Sequence, residues 1–167
     1  MSIYPQITAG MAPTSPLLQA MVPPVAYKAS DHVLSTGVGT LQDDSALVLP
    51  LEATAVYEFE LRFFFTGGAT GSTDLLAGWA PLSGMTMAYQ WLIPNTSNST
   101  QAGAYTSPST TVFCGTNGAT VQAANFAGTL TTSITAGNLQ FMWCQQTGTA
   151  TATTVKAGSR LKIRRIA

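Results

Sequence analysis

The sequence predicts an all-β domain, an antiparallel β-sandwich of jelly-roll type, with an extended arm at its N-terminal end. Three observations lead there. In residues 56–65, Tyr57, Phe59, Leu61, Phe63 and Phe65 alternate with Glu58, Glu60 and Arg62, the period of two that marks a strand with one buried face. Short β-branched and aromatic runs then recur between Gly, Asn, Ser and Pro clusters along the rest of the chain, as in all-β domains. No stretch after residue 25 sustains a 3.6-residue apolar period.

Taken in order, residues 1–32 form the arm and residues 33–167 the sandwich domain. Pro5, Pro13 and Gly10 block both a long helix and a central strand in the arm. Thr14 or Ser15 caps a short helical turn that starts at Pro16 and is ended by Pro23-Pro24. The apolar residues Ile3, Tyr4, Ile7, Met11, Leu17, Leu18, Met21, Val25 and Tyr27 are too many for a solvated tail. The arm therefore either straps its own domain or reaches a neighbouring subunit.

Within the domain, strands are expected at residues 33–35, 46–51, 56–65, 74–80, 86–92, 112–114, 119–126 with 128–132, 139–146, 153–155 and 159–166. Residues 56–65 form the central strand, ended by Thr66-Gly67-Gly68. Its aromatic face needs a partner, and Leu139, Phe141 and Trp143 share the natural one. Near the end of the chain Leu161 and Ile163 point inward while Arg160, Lys162 and Arg164 point outward. The polar stretch 95–109 reads as a surface loop, with Asn95, Asn98 and Tyr105 as its contact residues. So many short strands in one domain leave a sandwich or a barrel, and a jelly-roll is the usual choice at this length.

At 167 residues the chain suits one domain with a full core. Seven acids balance seven bases, and only 8% of residues are charged, against ~25% in ordinary soluble domains. So neutral a surface suits a subunit covered by neighbours. All seven acids lie in the first 74 residues, whereas Lys156, Arg160, Lys162, Arg164 and Arg165 lie in the last twelve. No apolar run approaches the ~20 residues of a membrane helix, and no secretion signal is expected at the N-terminus. Cys114 and Cys144 accordingly read as reduced, buried thiols.

Little points to catalysis. His32 is the only histidine, which removes multi-histidine metal sites and any nucleophile–histidine arrangement away from residue 32. Asp43-Asp44 reads as a turn. Residues 67–72 are Gly-rich without the Lys or following helix of a phosphate loop. A jelly-roll carbohydrate-active enzyme would need paired acids in a cleft, and Glu58 with Glu60 instead shares a strand face with Arg62. The C-terminal bases do not make the domain basic overall, so no nucleic acid is expected. They read as a solvated face or as subunit contacts in which Arg160, Lys162 and Arg164 meet Glu58 and Glu60. The expectation is a protein that is no enzyme and has no cofactor, metal, nucleic-acid or membrane partner.

Three stretches carry a resemblance. Asp43-Asp44 with Leu47 and Pro50 precedes Ala53, Tyr57, Phe59 and Glu60, and the chain closes on Trp143, Gln145, Thr153, Val155, Ala157-Gly158-Ser159, Leu161 and Arg164-Arg165. Ile7-Thr8-Ala9-Gly10, Leu17-Leu18 and Met21-Val22-Pro23 add a matching lead-in. The pattern resembles small structural proteins of tailed bacteriophages, particularly of actinobacterial hosts. The resemblance implies a virion protein assembled in the host cytoplasm and a homo-oligomer, commonly a trimer. It implies either head decoration, with the major capsid protein as partner, or a minor tail, fibre or baseplate part contacting a host-surface glycan. Trp79 and Trp91 would be the exposed aromatic platforms of that second role.

Overall fold

The computed structural model describes residues 14, 22–34, 39–95, 97, 99–146 and 151–167, with the side chains of 68–74 excepted. Among them are ten strands and no helix: β1 (Val25–Tyr27), β2 (His32–Leu34), β3 (Gln42–Leu51), β4 (Val56–Ala80), β5 (Thr86–Pro94), β6 (Thr100–Tyr105), β7 (Val112–Thr131), β8 (Gly137–Gln145), β9 (Thr153–Val155) and β10 (Arg160–Arg165). Every pairing is antiparallel. The fold is the expected all-β, jelly-roll-like sandwich.

Its two layers share their longest strands. β7 runs along one edge of β4 from Val56↔Thr131 to Ala77↔Val112. The other edge carries β10 at residues 57–62, β9 at Phe65 and Thr66, and β8 at residues 75–80. Register shifts in β4 fall at Phe65/Gly67, Gly67/Ser72 and Ser72/Leu75, and there the strand turns from one layer into the other, as bulged strands do. Gly67 marks the bend, with φ +146° and an α-carbon so close to the chain that a Cβ would sit 2.7 Å from Thr153 Cα. One layer is then β1-β10-β4-β7-β5-β6 in order. The other is built on the second half of β4 with β8 and β3.

Aromatic rings fill the space between the layers. Phe59 and Trp79, twenty residues apart on one strand, meet edge to face at 5.1 Å, which is possible only because β4 folds back. Phe63 touches Phe141 at 5.0 Å and Phe126 at 5.6 Å, so the expected pairing of the central strand with Leu139, Phe141 and Trp143 holds. Tyr57 is fully buried, and its hydroxyl accepts the Glu52 N–H at 2.8 Å.

Several expectations are corrected. Residues 56–65 and 74–80 are one strand, and the Gly-rich stretch between them is its bend. The expected loop 95–109 contains β6, paired residue for residue with β5 from Pro94↔Thr100 to Tyr89↔Tyr105. Trp79 is 2% exposed and is core, not a platform. Trp91 is half-buried, its indole lying over Gly103, where a Cβ would come within 2.3 Å of the ring. Replacing the inter-layer ring by Trp79→Ala is expected to cost about 3–5 kcal/mol of unfolding free energy, measured by urea denaturation.

Candidate assembly surface

The solvent side of the six-stranded layer is the candidate site, and the ladder register defines it. One row runs Val25, Lys162, Glu60, Ala127, Gln90, Ala104 across all six strands. The next runs Tyr27, Arg160, Arg62, Asn125, Leu92, Ala102. On the other side of the first row, Arg164, Glu58, Thr129 and Ala88 line up. A groove of about 830 Å³ lies on this side.

The two halves of the face differ in chemistry. β4 and β10 bring all the charged groups of these rows. No Asp, Glu, Lys, Arg or His falls between Asp74 and Lys156, so β5, β6 and β7 are uncharged and offer Ala, Thr, Asn and Gln, with one exposed leucine, Leu92, in these rows. β6 pairs with β5 on one side and with nothing on the other among the described residues. It carries no Lys, Pro or bulge, the devices by which solvent-exposed edges avoid pairing.

The expected contact charges come together here. Lys162 stands opposite Glu60 and Arg164 opposite Glu58 across β10 and β4. Arg164 Nη2 lies 2.6 Å from Glu58 Oε2 within the chain, so this pair is satisfied without a second subunit and, being exposed, adds little stability. Arg160 faces Arg62 and lies outside the groove. Tyr105 lines the groove from β6, but its ring is turned inward onto Tyr89 and Trp91 at 6.0 Å each. Asn95 closes a tight turn, its Oδ1 accepting the Ser97 and Ser99 N–H groups at 2.9 Å. Asn98 lies outside the described residues, as do Ile3, Tyr4, Ile7, Met11, Leu17, Leu18 and Met21.

Val25 and Tyr27 are not part of a free arm. They lie on β1, paired with β10, and are 51% and 62% exposed. The sandwich therefore begins ahead of residue 32, and the next residue shows why. The backbone of Lys28 donates to Ser159 O and accepts from Gly158 N–H, both at 2.9 Å. Its ammonium, 4% exposed, donates to both oxygens of the fully buried Asp44 at 2.8 and 2.7 Å. Asp44 also accepts the Ala46 N–H and the Trp143 Nε1–H at 3.1 Å each. His32 Nδ1 stands 3.8 Å away and its ring packs edge to face on Trp143.

Asp44 is thus no turn residue but the buried anchor of the β1 segment. The signal was hidden by the register shift in β3 between Asp43 and Val48. Counting back by twos from the buried Leu47 would place Ser45 and Asp43 inside, and the irregularity exchanges that phase for Asp44.

The closing motif of the chain is explained by the same corner. Gly158 turns with φ +90°, Ser159 Oγ accepts from Phe64 N–H at 3.0 Å and donates to Lys156 O at 2.8 Å, and Asp31 binds Lys156 Nζ and the Ala157 N–H. Chiefly the hydrogen bond from Lys156, then that from Ala157, holds the Asp31 carboxyl below its ordinary pKa of 3.8. Cys114 and Cys144 are free and buried, and burial raises both thiols. Cys114 sits beside Leu75 and Cys144 beside Leu76, on strands flanking β4. Two strand spacings, about 9.6 Å, separate those strands, beyond disulfide reach.

Among the described residues no group of three or more His, Cys, Asp or Glu side chains could hold a metal ion, and no helix is long and apolar enough to cross a membrane. No known protein family matches the chain, and no curated protein matches it. Among solved structures it is similar to one described as the structure of infectious bursal disease virus Gx strain, at 9% identity and a TM-score of 0.23. The match covers 87% of this chain and 37% of that one, so this chain spans well under half of that chain's length. Similarity at this level establishes neither a common fold nor a common role.

Three outcomes are expected. Asp44→Ala leaves the Lys28 ammonium buried without its partner and costs about 3–5 kcal/mol in chemical denaturation, whereas Lys28→Met with Asp44→Leu recovers much of that loss. A folded-state pKa below the unfolded one means that Asp31 stabilises the fold fully above 3.8 and loses its contribution as pH falls through the lowered value. Its NMR titration should therefore have a midpoint below 3.8, and Lys156→Met should raise it. Both thiols should resist a thiol reagent at mildly alkaline pH in the native state and react on unfolding.

Proposed function

We propose that this chain is a non-enzymatic structural subunit of a virion, and specifically a homotrimer that decorates the head of a tailed bacteriophage. It holds shell subunits through the N-terminal arm and an edge of the sandwich. The observation that carries the reading is the uncharged β6 edge, unpaired among the described residues, beside the uncharged half of the grooved sheet face. A protein free in solution pays in aggregation for such an edge, and a subunit covered by neighbours does not. The sequence resemblance supports the phage setting. Binding only to the assembled lattice would stabilise the particle by mass action, in proportion to affinity and occupancy.

The copy number of this chain per purified particle, by quantitative mass spectrometry against the shell protein, tests the reading. A number near that of the shell protein is expected. A number far below it would remove whole-shell decoration and assign the chain to the tail or a unique vertex. In the same particles, removal of residues 1–21, which spares β1 and Lys28, is expected to abolish incorporation while leaving the thermal unfolding of the domain in place.

A further inference from the structure

Resting on that assembly reading, we infer that Arg62 and Arg160, with Tyr27 and Leu92 at the two ends of their row, form a docking surface for an acidic segment of the shell subunit. The register sets the two arginines directly opposite each other on β4 and β10, and both are exposed. Like charges so placed destabilise a sheet. Every other base of the chain has an acid beside it: Lys28 meets Asp44, Lys156 meets Asp31, Arg164 meets Glu58, Arg165 meets Glu52, and Lys162 stands opposite Glu60. Among the described residues, Arg62 and Arg160 make no ion pair. The fold therefore opposes two of the chain's seven bases at the place where it supplies no counter-charge. A carboxylate set between the two guanidinium groups removes the opposition and can be held by both.

The neighbouring residues narrow the chemistry. Glu60 lies diagonally from Arg160 on the same face, and Glu58 lies one row beyond, so a continuous polyanion such as nucleic acid would be repelled there. Discrete carboxylates meet the arginines alone. Tyr27 ends the row on one side, and on the other it continues through Asn125 to Leu92. Both Tyr27 and Leu92 are exposed. Four strand spacings, about 19 Å, separate them, a distance that an extended segment of about six residues spans. The matching segment is acidic in its middle and apolar at each end.

No such segment is found in this chain. Residues 1–30 contain no Asp or Glu, which removes the N-terminal segment, whether of the same copy or of another. Asp31, Asp44, Glu52, Glu58 and Glu60 already stand beside a base. The acids left are Asp43 and Asp74, and among the described residues no exposed large apolar side chain lies within that length of either. The occupant is another protein, and the shell subunit is the partner that decoration provides.

Shells assembled without this chain are the probe. Binding of the full chain and of its Arg62→Gln, Arg160→Gln and doubly substituted forms is measured by co-sedimentation over a range of salt concentrations, with urea unfolding of each form alongside. Each substitution is expected to weaken binding about tenfold or more, and the double substitution to flatten its salt dependence. Unfolding midpoints should stay at or above the parent's, because the opposition of like charges is relieved. Undiminished binding by the doubly substituted form would overturn the inference and leave decoration standing. Lowered midpoints would make the arginine pair part of the fold and also overturn the inference. Absence of binding by the parent would overturn decoration and the inference together. With p-benzoylphenylalanine in place of Tyr27, irradiation of the decorated shell is expected to link this position to a shell peptide that contains Asp or Glu. Links only to a second copy of this chain would overturn the inference in favour of self-contact.

Discussion

A strand of 25 residues has no room to lie straight in a domain of this size. Extended, β4 would measure about 80 Å, whereas a compact chain of this length has a radius of gyration of roughly 15 Å. The strand must fold back, and it does so where Gly67 and the following register shifts interrupt its ladder. The rest follows from that bend. β7 keeps its place along one edge of β4 and bends with it. The opposite edge is divided among β10, β9 and β8, so the last strands of the chain are shared between the two layers. The contact of Phe59 with Trp79 is the closure of this turn, and the ring cluster around Phe63, Phe126 and Phe141 completes it.

The bend also accounts for the charges. By placing β10 against the first half of β4, it sets the basic end of the chain beside its acidic part. Arg164 meets Glu58, Arg165 meets Glu52 and Lys156 meets Asp31. These pairs are partly exposed and contribute little each. The Lys28–Asp44 pair is of another kind, because both groups are out of water and held by further hydrogen bonds. Its value lies in specificity of position: it fastens β1 to the edge of the layer, and the Trp143 indole joins that edge to the opposite layer.

How much of this was legible in the chain depends on which face a residue occupies. The inner face announces itself by alternation, so the central strand, its partner Leu139–Phe141–Trp143 and the inward Leu161 and Ile163 were readable. Residues 75–79 are buried at both parities, Leu76 and Gly78 included, so no alternation marks Trp79 as inward. What was not readable arises from irregularity. Gly-rich residues 67–72 look like a loop because glycine has no strand preference, yet the ladder of β7 carries them through. Thr100–Tyr105 lacks the β-branched and aromatic density of a strand and is made one by its pairing with β5. Asp44 is hidden by a shift of phase that no local pattern records. Of the expected contact residues, the charges of β4 and β10 were placed on the right face, whereas Tyr105 turned inward.

The outer face carries the remaining information, because folding leaves it nearly free. A sandwich needs its inward positions to be apolar and of the right volume, and asks of its outward positions only that they suit a strand. Solvent-facing positions on β5, β6 and β7 could hold Lys, Glu or Arg at no cost to the core, and none is present between Asp74 and Lys156. In the same layer β4 carries charge at Glu58, Glu60 and Arg62, and β10 carries it at Arg160, Lys162 and Arg164. The same uncharged run takes in residues 75–80 of β4, β8 and β9, so it extends from β5, β6 and β7 into the opposite layer. Within the six-stranded layer the charge is gathered on β4 and β10, and the outward positions of β5, β6 and β7 are left neutral by a choice that the core does not impose.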